Sequence, residues 1–210
     1  MSESLVFPIG HYMGAFHPKT GAPLKYRKVR VGVDVKQLPD DAHFTVWALA
    51  HGLPHQIGKV RWTRDAMREI AGIATFDEVV DALVAQGLLA EIQPGQEAAF
   101  ARGHRLQPLM MGLGNSPDDP LRFSIGFLGV PPAVKVESFV FELWQWGRLG
   151  HHLMETAEMF AKVEQEVSGG GHHAKSGPEQ LLGEILEQLH VLLAHNAAYL
   201  DATLEPASEA

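Results

Sequence analysis

Between Thr63 and Gln93 the local signals of the chain agree with one another, and that stretch constrains the fold more than any other. Thr75 followed by Glu78 has the spacing of a capping box, in which each side chain satisfies a backbone N–H left over by the first helical turn. Val79, Val80, Leu83 and Val84 recur at helical spacing and give one apolar face, and Gly87 falls where a left-handed C-terminal cap is needed. Leu88, Leu89 and Ile92 continue as a short strand. Upstream, Thr63 caps a helix carrying Met67, Ile70 and Ala71, with Gly72, Ile73 and Ala74 as the turn between the two helices. An earlier helix begins at Asp40 or Asp41, carries Phe44, Trp47 and Ala48 on one side, and ends at Gly52-Leu53-Pro54. Pro94-Gly95-Gln96-Glu97 then turns the strand back into a second one over residues 98–102.

The order helix, helix, helix, strand, turn, strand over residues 40–105 resembles the winged helix-turn-helix domain of bacterial regulators of the MarR-like and PadR-like kinds. Ala82-Leu83-Val84-Ala85-Gln86-Gly87-Leu88-Leu89 is similar to the end of the recognition helix and the start of the wing in such proteins. The resemblance implies a non-catalytic transcriptional regulator with double-stranded DNA as partner, dimerising through helices outside the reading head.

Charge redirects that expectation. A helix in the major groove must tolerate phosphates, yet the third helix exposes Asp77, Glu78 and Asp81 and holds no Lys or Arg. Its one base-reading side chain is Gln86, at the far end. The basic residues lie earlier, at Lys59, Arg61, Arg64 and Arg68. The net charge of -8 is also uneven: +4 over residues 1–36, -4 over 37–137 and -8 over 138–210. In the basic head, Lys25, Arg27, Lys28 and Arg30 surround Tyr26, and Val31, Val33 and Val35 alternate as in a strand. Such a segment would lie along a nucleic-acid backbone, although the same alternation also serves as a solvated strand face or a guard on a sheet edge. The expected DNA-binding set is therefore Lys25, Arg27, Lys28, Arg30, Lys59, Arg61, Arg64, Arg68 and Gln86. An acidic third helix equally suits a winged helix that binds protein without DNA affinity.

Beyond residue 132 the pattern becomes helical. Phe139, Leu143, Trp146, Leu149, Leu153, Ala157, Phe160 and Val163 recur every three or four positions, which predicts one long helix over 136–167, kinked at Gly147 and Gly150. Residues 168–177 read as a flexible connection, and Pro178 opens a final helix with Leu182, Ile185, Leu186, Leu189, Leu192, Leu193 and Leu200 as its stripe. This hairpin has more apolar surface than one pair of helices can hide, which predicts a homodimer with Trp144, Trp146, Leu189 and Leu193 at its interface; packing against the chain's own winged helix is the alternative. The expected fold is α+β but mainly helical: a basic N-terminal arm or strand over 1–36, a winged-helix domain with an extension over 37–132, and a long C-terminal helical hairpin over 133–210.

Several chemistries are excluded or disfavoured. Without Cys there are no disulfides, thiolate metal sites or cysteine nucleophiles. The Gly-containing stretch from Pro108 to Pro117 lacks the Lys of a phosphate loop, and a buried strand is expected from Leu121 to Val130. No Gly-x-Ser-x-Gly occurs, so neither an enzyme nor a cofactor is expected. No apolar run approaches the ~20 residues of a membrane span and no signal segment appears, so a cytoplasmic protein without a membrane partner is expected. The first twenty-five residues read as an irregular loop, in which His11 and His17 with Asp34 have ligand chemistry but no fixed geometry. Glu187 and His190 form a Glu-x-x-His pair, and His152 and Glu155 lie on the neighbouring helix, which leaves a helical metal-binding protein as a third reading.

Overall fold

A computed structural model describes residues 4–167 and 177–203. It divides into two compact units: Met1–Pro94 with Leu200–Ala202, and Gly95–Tyr199 with Thr203–Ala210. The basic segment over 1–36, expected as an arm or strand, is part of the first unit, and residues 168–176 of the expected connection lie outside the described residues.

The first unit runs β1 (Leu5–Pro8), β2 (His11–Phe16), β3 (Tyr26–Val31), β4 (Asp34–Leu38), α1 (Asp41–Leu49), α2 (Arg64–Ala71), α3 (Phe76–Ala85) and β5 (Leu89–Ile92). Strands β2, β3 and β4 form an antiparallel sheet. Strand β1 pairs antiparallel with β5, Leu5 opposite Ile92 and Pro8 opposite Leu89. On its other edge Leu5 bridges Thr63, and the Val6 N–H donates to the Trp62 carbonyl at 3.1 Å. With neighbours on both edges, all four residues of β1 are buried.

The helix boundaries have local causes. Asp40 caps α1 by accepting the His43 N–H at 2.9 Å, and Thr63 caps α2 by accepting the Ala66 N–H at 3.2 Å. The capping box expected at Thr75 is not made: its backbone sits at φ -98° and ψ 27° rather than extended, and its side chain makes no cap hydrogen bond. At the other end of α3, Gly87 adopts φ +64°, its N–H reaches the Val84 carbonyl and the Leu88 N–H reaches Leu83. That is a Schellman closure, with Leu83 and Leu88 both fully buried beside it. The three helices pack on one another around Trp47, Trp62, Met67, Phe76 and Leu83.

The second unit runs α4 (Glu97–Gly103), β6 (His104–Pro108), β7 (Met111–Ser116), β8 (Asp119–Gly126), β9 (Val134–Val136), α5 (Ser138–Trp146), a 3-10 turn (Gly147–Leu149), α6 (Leu153–Val167) and α7 (Pro178–Ala194), followed by β10 (Ala198–Ala202), whose last three residues belong to the first unit. Strands β7, β8 and β9 form an antiparallel sheet, β6 pairs with β10, and α4, α5 and α6 pack against α7. No helix among the described residues is long and apolar enough to cross a membrane.

The expectation of a mainly helical protein is wrong. Helix accounts for 41% and strand for 28%, in four sheets and seven helices among the described residues. Glycine-linked bulges hid two strands, because an extra residue breaks the alternation by which a strand is recognised. The register shifts between Tyr12 and Gly14 in β2, and again on either side of Gly114 in β7, with Gly14 at φ +102° and Gly114 at φ +75°. Residues 98–102 are helical, in α4, and the partner of β5 is β1 instead. The long helix expected over 136–167 is two helices. Gly150 is extended at ψ 142°, and a β-carbon there would lie 2.7 Å from the Thr156 hydroxyl oxygen. Leu200, expected on the last helix, belongs to β10.

Candidate nucleic-acid interface

Helices α2 and α3 bring the expected DNA-binding arginines against the acids of α3. Arg68 donates to both carboxylate oxygens of Asp77, at 3.0 and 2.7 Å, and also pairs with Asp65. Those hydrogen bonds raise the Arg68 guanidinium above its ordinary pKa and hold the Asp77 carboxyl below its own. Arg64 pairs with Asp81 and lies 3.3 Å from Glu91 and 3.6 Å from Asp77. The positive charge that would meet phosphate is therefore neutralised within the motif. Gln86 ends α3, where its carbonyl accepts the Lys36 ammonium. Lys59 and Arg61 are exposed ahead of α2.

The sheet of β2, β3 and β4 has two unlike faces. Towards α1, Val29 is fully buried, while Arg27 lies 4.2 Å from the Phe44 ring centre and pairs with Asp41 at 2.8 Å. On the opposite face Phe16 and Tyr26 stack, centroids 5.0 Å apart and planes 14° from parallel. The Lys28 ammonium lies 5.3 Å and 5.6 Å from those two rings, and that of Lys25 lies 5.8 Å from Tyr26. Lys19 is exposed in the loop joining β2 to β3. Lys19, Lys25 and Lys28 have no acidic partner among the described residues, so positive charge stays uncompensated on this hairpin. Arg30 is differently employed: it donates to the Gly32 carbonyl at 2.7 Å and to Asp201 at 3.1 Å. Sequence reasoning missed Lys19, Phe16 and Asp201. The first two became visible only once residues 11–16 paired with 26–31; the available signal was the loop containing Pro18, Gly21 and Pro23 ahead of the alternating run from Tyr26.

Three of the four expected interface residues serve their own unit. Leu189 and Leu193 are fully buried, and Trp144 is buried with its indole N–H donating to the Ala197 carbonyl at 3.0 Å; Trp146 is exposed. The four metal candidates do not assemble, and no group of three or more ligating side chains exists among the described residues. His152 and Glu155 form a helix cap. The Glu155 N–H donates to His152 Nδ1 at 3.0 Å, while the Glu155 carboxylate accepts the His151 N–H at 2.6 Å. That backbone hydrogen bond is the largest cause holding the Glu155 carboxyl below the usual range. On α7, His190 is buried and Glu187 is exposed.

Compared with family models, with curated proteins and with solved structures, the chain matches none.

Proposed function

We propose that this chain is a non-catalytic, cytoplasmic DNA-binding regulator whose first unit works as a winged-helix module. The order α1, α2, turn, α3, β5 supports the module, with β1 taking the place beside β5 that a second wing strand would fill. The observation that carries the DNA reading is the β2–β3 hairpin, where Lys25 and Lys28 lie over a stacked aromatic pair and, with Lys19 in the joining loop, have no acidic partner among the described residues. Contact runs through that hairpin and through Lys59 and Arg61, with α3 as scaffold. Binding of this kind rests on phosphates, so it is steeply dependent on salt and weakly dependent on sequence.

A second reading has its own support. The α2–α3 surface is a mosaic of Arg64 and Arg68 with Asp65, Asp77 and Asp81, which repels phosphate less than bare acids would but suits a charged protein surface better. Fluorescence anisotropy with a random-sequence duplex separates the two. Under the first reading the logarithm of affinity falls linearly with the logarithm of salt, and Lys19→Glu/Lys25→Glu/Lys28→Glu reduces the slope by about 2 to 3. No binding even at low salt sinks the DNA reading and leaves the protein-binding one.

A further inference from the structure

We infer that the cavity between α5 and α6 is a binding site for a small organic cation, a quaternary or protonated amine carrying an aromatic or alkyl group. The cavity holds about 300 Å³ and is walled by Phe139, Trp146, Leu149 and Phe160 with two carboxylates, Glu142 and Glu164. That volume is at the small end of sites that enclose organic ligands, and an apolar lining with few polar groups is their usual composition. The Phe139 and Phe160 rings meet edge to face, centroids 6.0 Å apart and planes at 82°. Trp146 and Leu149 remain about half exposed, 47% and 53%.

The carboxylates decide the ligand's charge. Glu142 accepts the Ser138 hydroxyl at 3.1 Å, and neither it nor Glu164 has a cationic partner among the described residues. Two unpaired carboxylates on an aromatic lining repel anions and leave a neutral ligand with no electrostatic gain. A cation gains from both the carboxylates and the negative ring faces. The same charges argue against a second copy of the chain as occupant. In a two-fold interface each patch meets itself, which would bring four carboxylates together in a drying groove.

This site lies in the second unit and does not rest on the DNA reading. The test is calorimetric titration with benzyltrimethylammonium, alongside its uncharged isostere neopentylbenzene. Saturable one-to-one binding of the cation is expected, with the isostere at least about tenfold weaker, and Glu142→Gln/Glu164→Gln weakening the cation by about tenfold or more. Both glutamates are exposed, so the double variant should fold; the isostere comparison uses unaltered protein and stands regardless. Absent saturable binding of the cation overturns the proposal, as does equal binding of cation and isostere or indifference to the double variant. A dimer that dissociates in Trp146→Ala, together with no cation binding, would assign the groove to a second copy instead.

Discussion

At the scale of single residues, His51 gives the first unit a pH dependence. Its ring meets Trp47 edge-on, centroids 4.6 Å apart, and Nδ1 lies 3.1 Å from the Trp47 carbonyl and 3.2 Å from that of Ala48. Burial outweighs those acceptors and pushes its pKa down to about 4. An unfolded histidine titrates near 6.5, so between pH 6.5 and 4 the unfolded chain binds more protons than the folded one. The stability is whole above pH 6.5 and is lost as pH falls towards 4. Because the residue keeps some solvent exposure, the loss is limited to about 2 kcal/mol. His11, lowered by its own burial, contributes in the same direction, so the comparison must be between variants. Urea midpoints at pH 7.5 and 4.5 should show a smaller drop for His51→Gln than for the unaltered chain, and equal drops would refute the assignment.

At the scale of elements, the tightest constraint is the turn from β1 into β2. Gly10 adopts φ +99°, and a β-carbon there would lie 2.6 Å from the Arg30 carbonyl oxygen and 2.6 Å from a Val29 methyl carbon. The conformation and the contact forbid the same substitution independently. Gly10→Ala should cost about 3 kcal/mol or more, read from chemical denaturation, whereas Gly95→Ala, also at positive φ but in open space, should cost about 1 kcal/mol. Similar costs at both sites would mean that the β3 backbone yields. The same contrast explains what the sequence made legible. Helices α1, α2, α3 and α7 were readable because caps and apolar stripes are local: Asp40, Thr63, Gly87 and Pro178 each act within a turn or so of their own position. The partner of β5 was not, since Leu5 and Ile92 meet across most of a unit and nothing near Pro94 announces it. For the candidate interface, the cations at Lys25 and Lys28 were visible as composition. The cancellation of Arg64 and Arg68 by Asp77 and Asp81 was not, because it depends on how two helices pack.

At the scale of the molecule, a segment from late in the chain belongs to the unit built from its first 94 residues. After α7 the chain completes the first unit with Leu200–Ala202. The Leu200 carbonyl accepts the Gly10 N–H at 2.7 Å, and Asp201, fully buried, accepts the Gly32 N–H at 2.6 Å and the Arg30 guanidinium at 3.1 Å. The loop from β3 to β4 therefore takes its hydrogen-bond partner from a residue 169 positions away. During synthesis the first unit cannot finish folding until the last strand has emerged, which makes this contact late and long-range. Removing the carboxylate takes the shared acceptor from a partly buried N–H and a partly buried guanidinium, so Asp201→Ala should destabilise the first unit by about 2 kcal/mol. Hydrogen exchange locates the loss. Peptides covering residues 5–38 should exchange faster in the variant, while α5, α6 and α7 keep their protection, because they belong to the other unit. Equal acceleration throughout the chain would show that the two units open as one, and unchanged exchange over 5–38 would show that Asp201 holds nothing there.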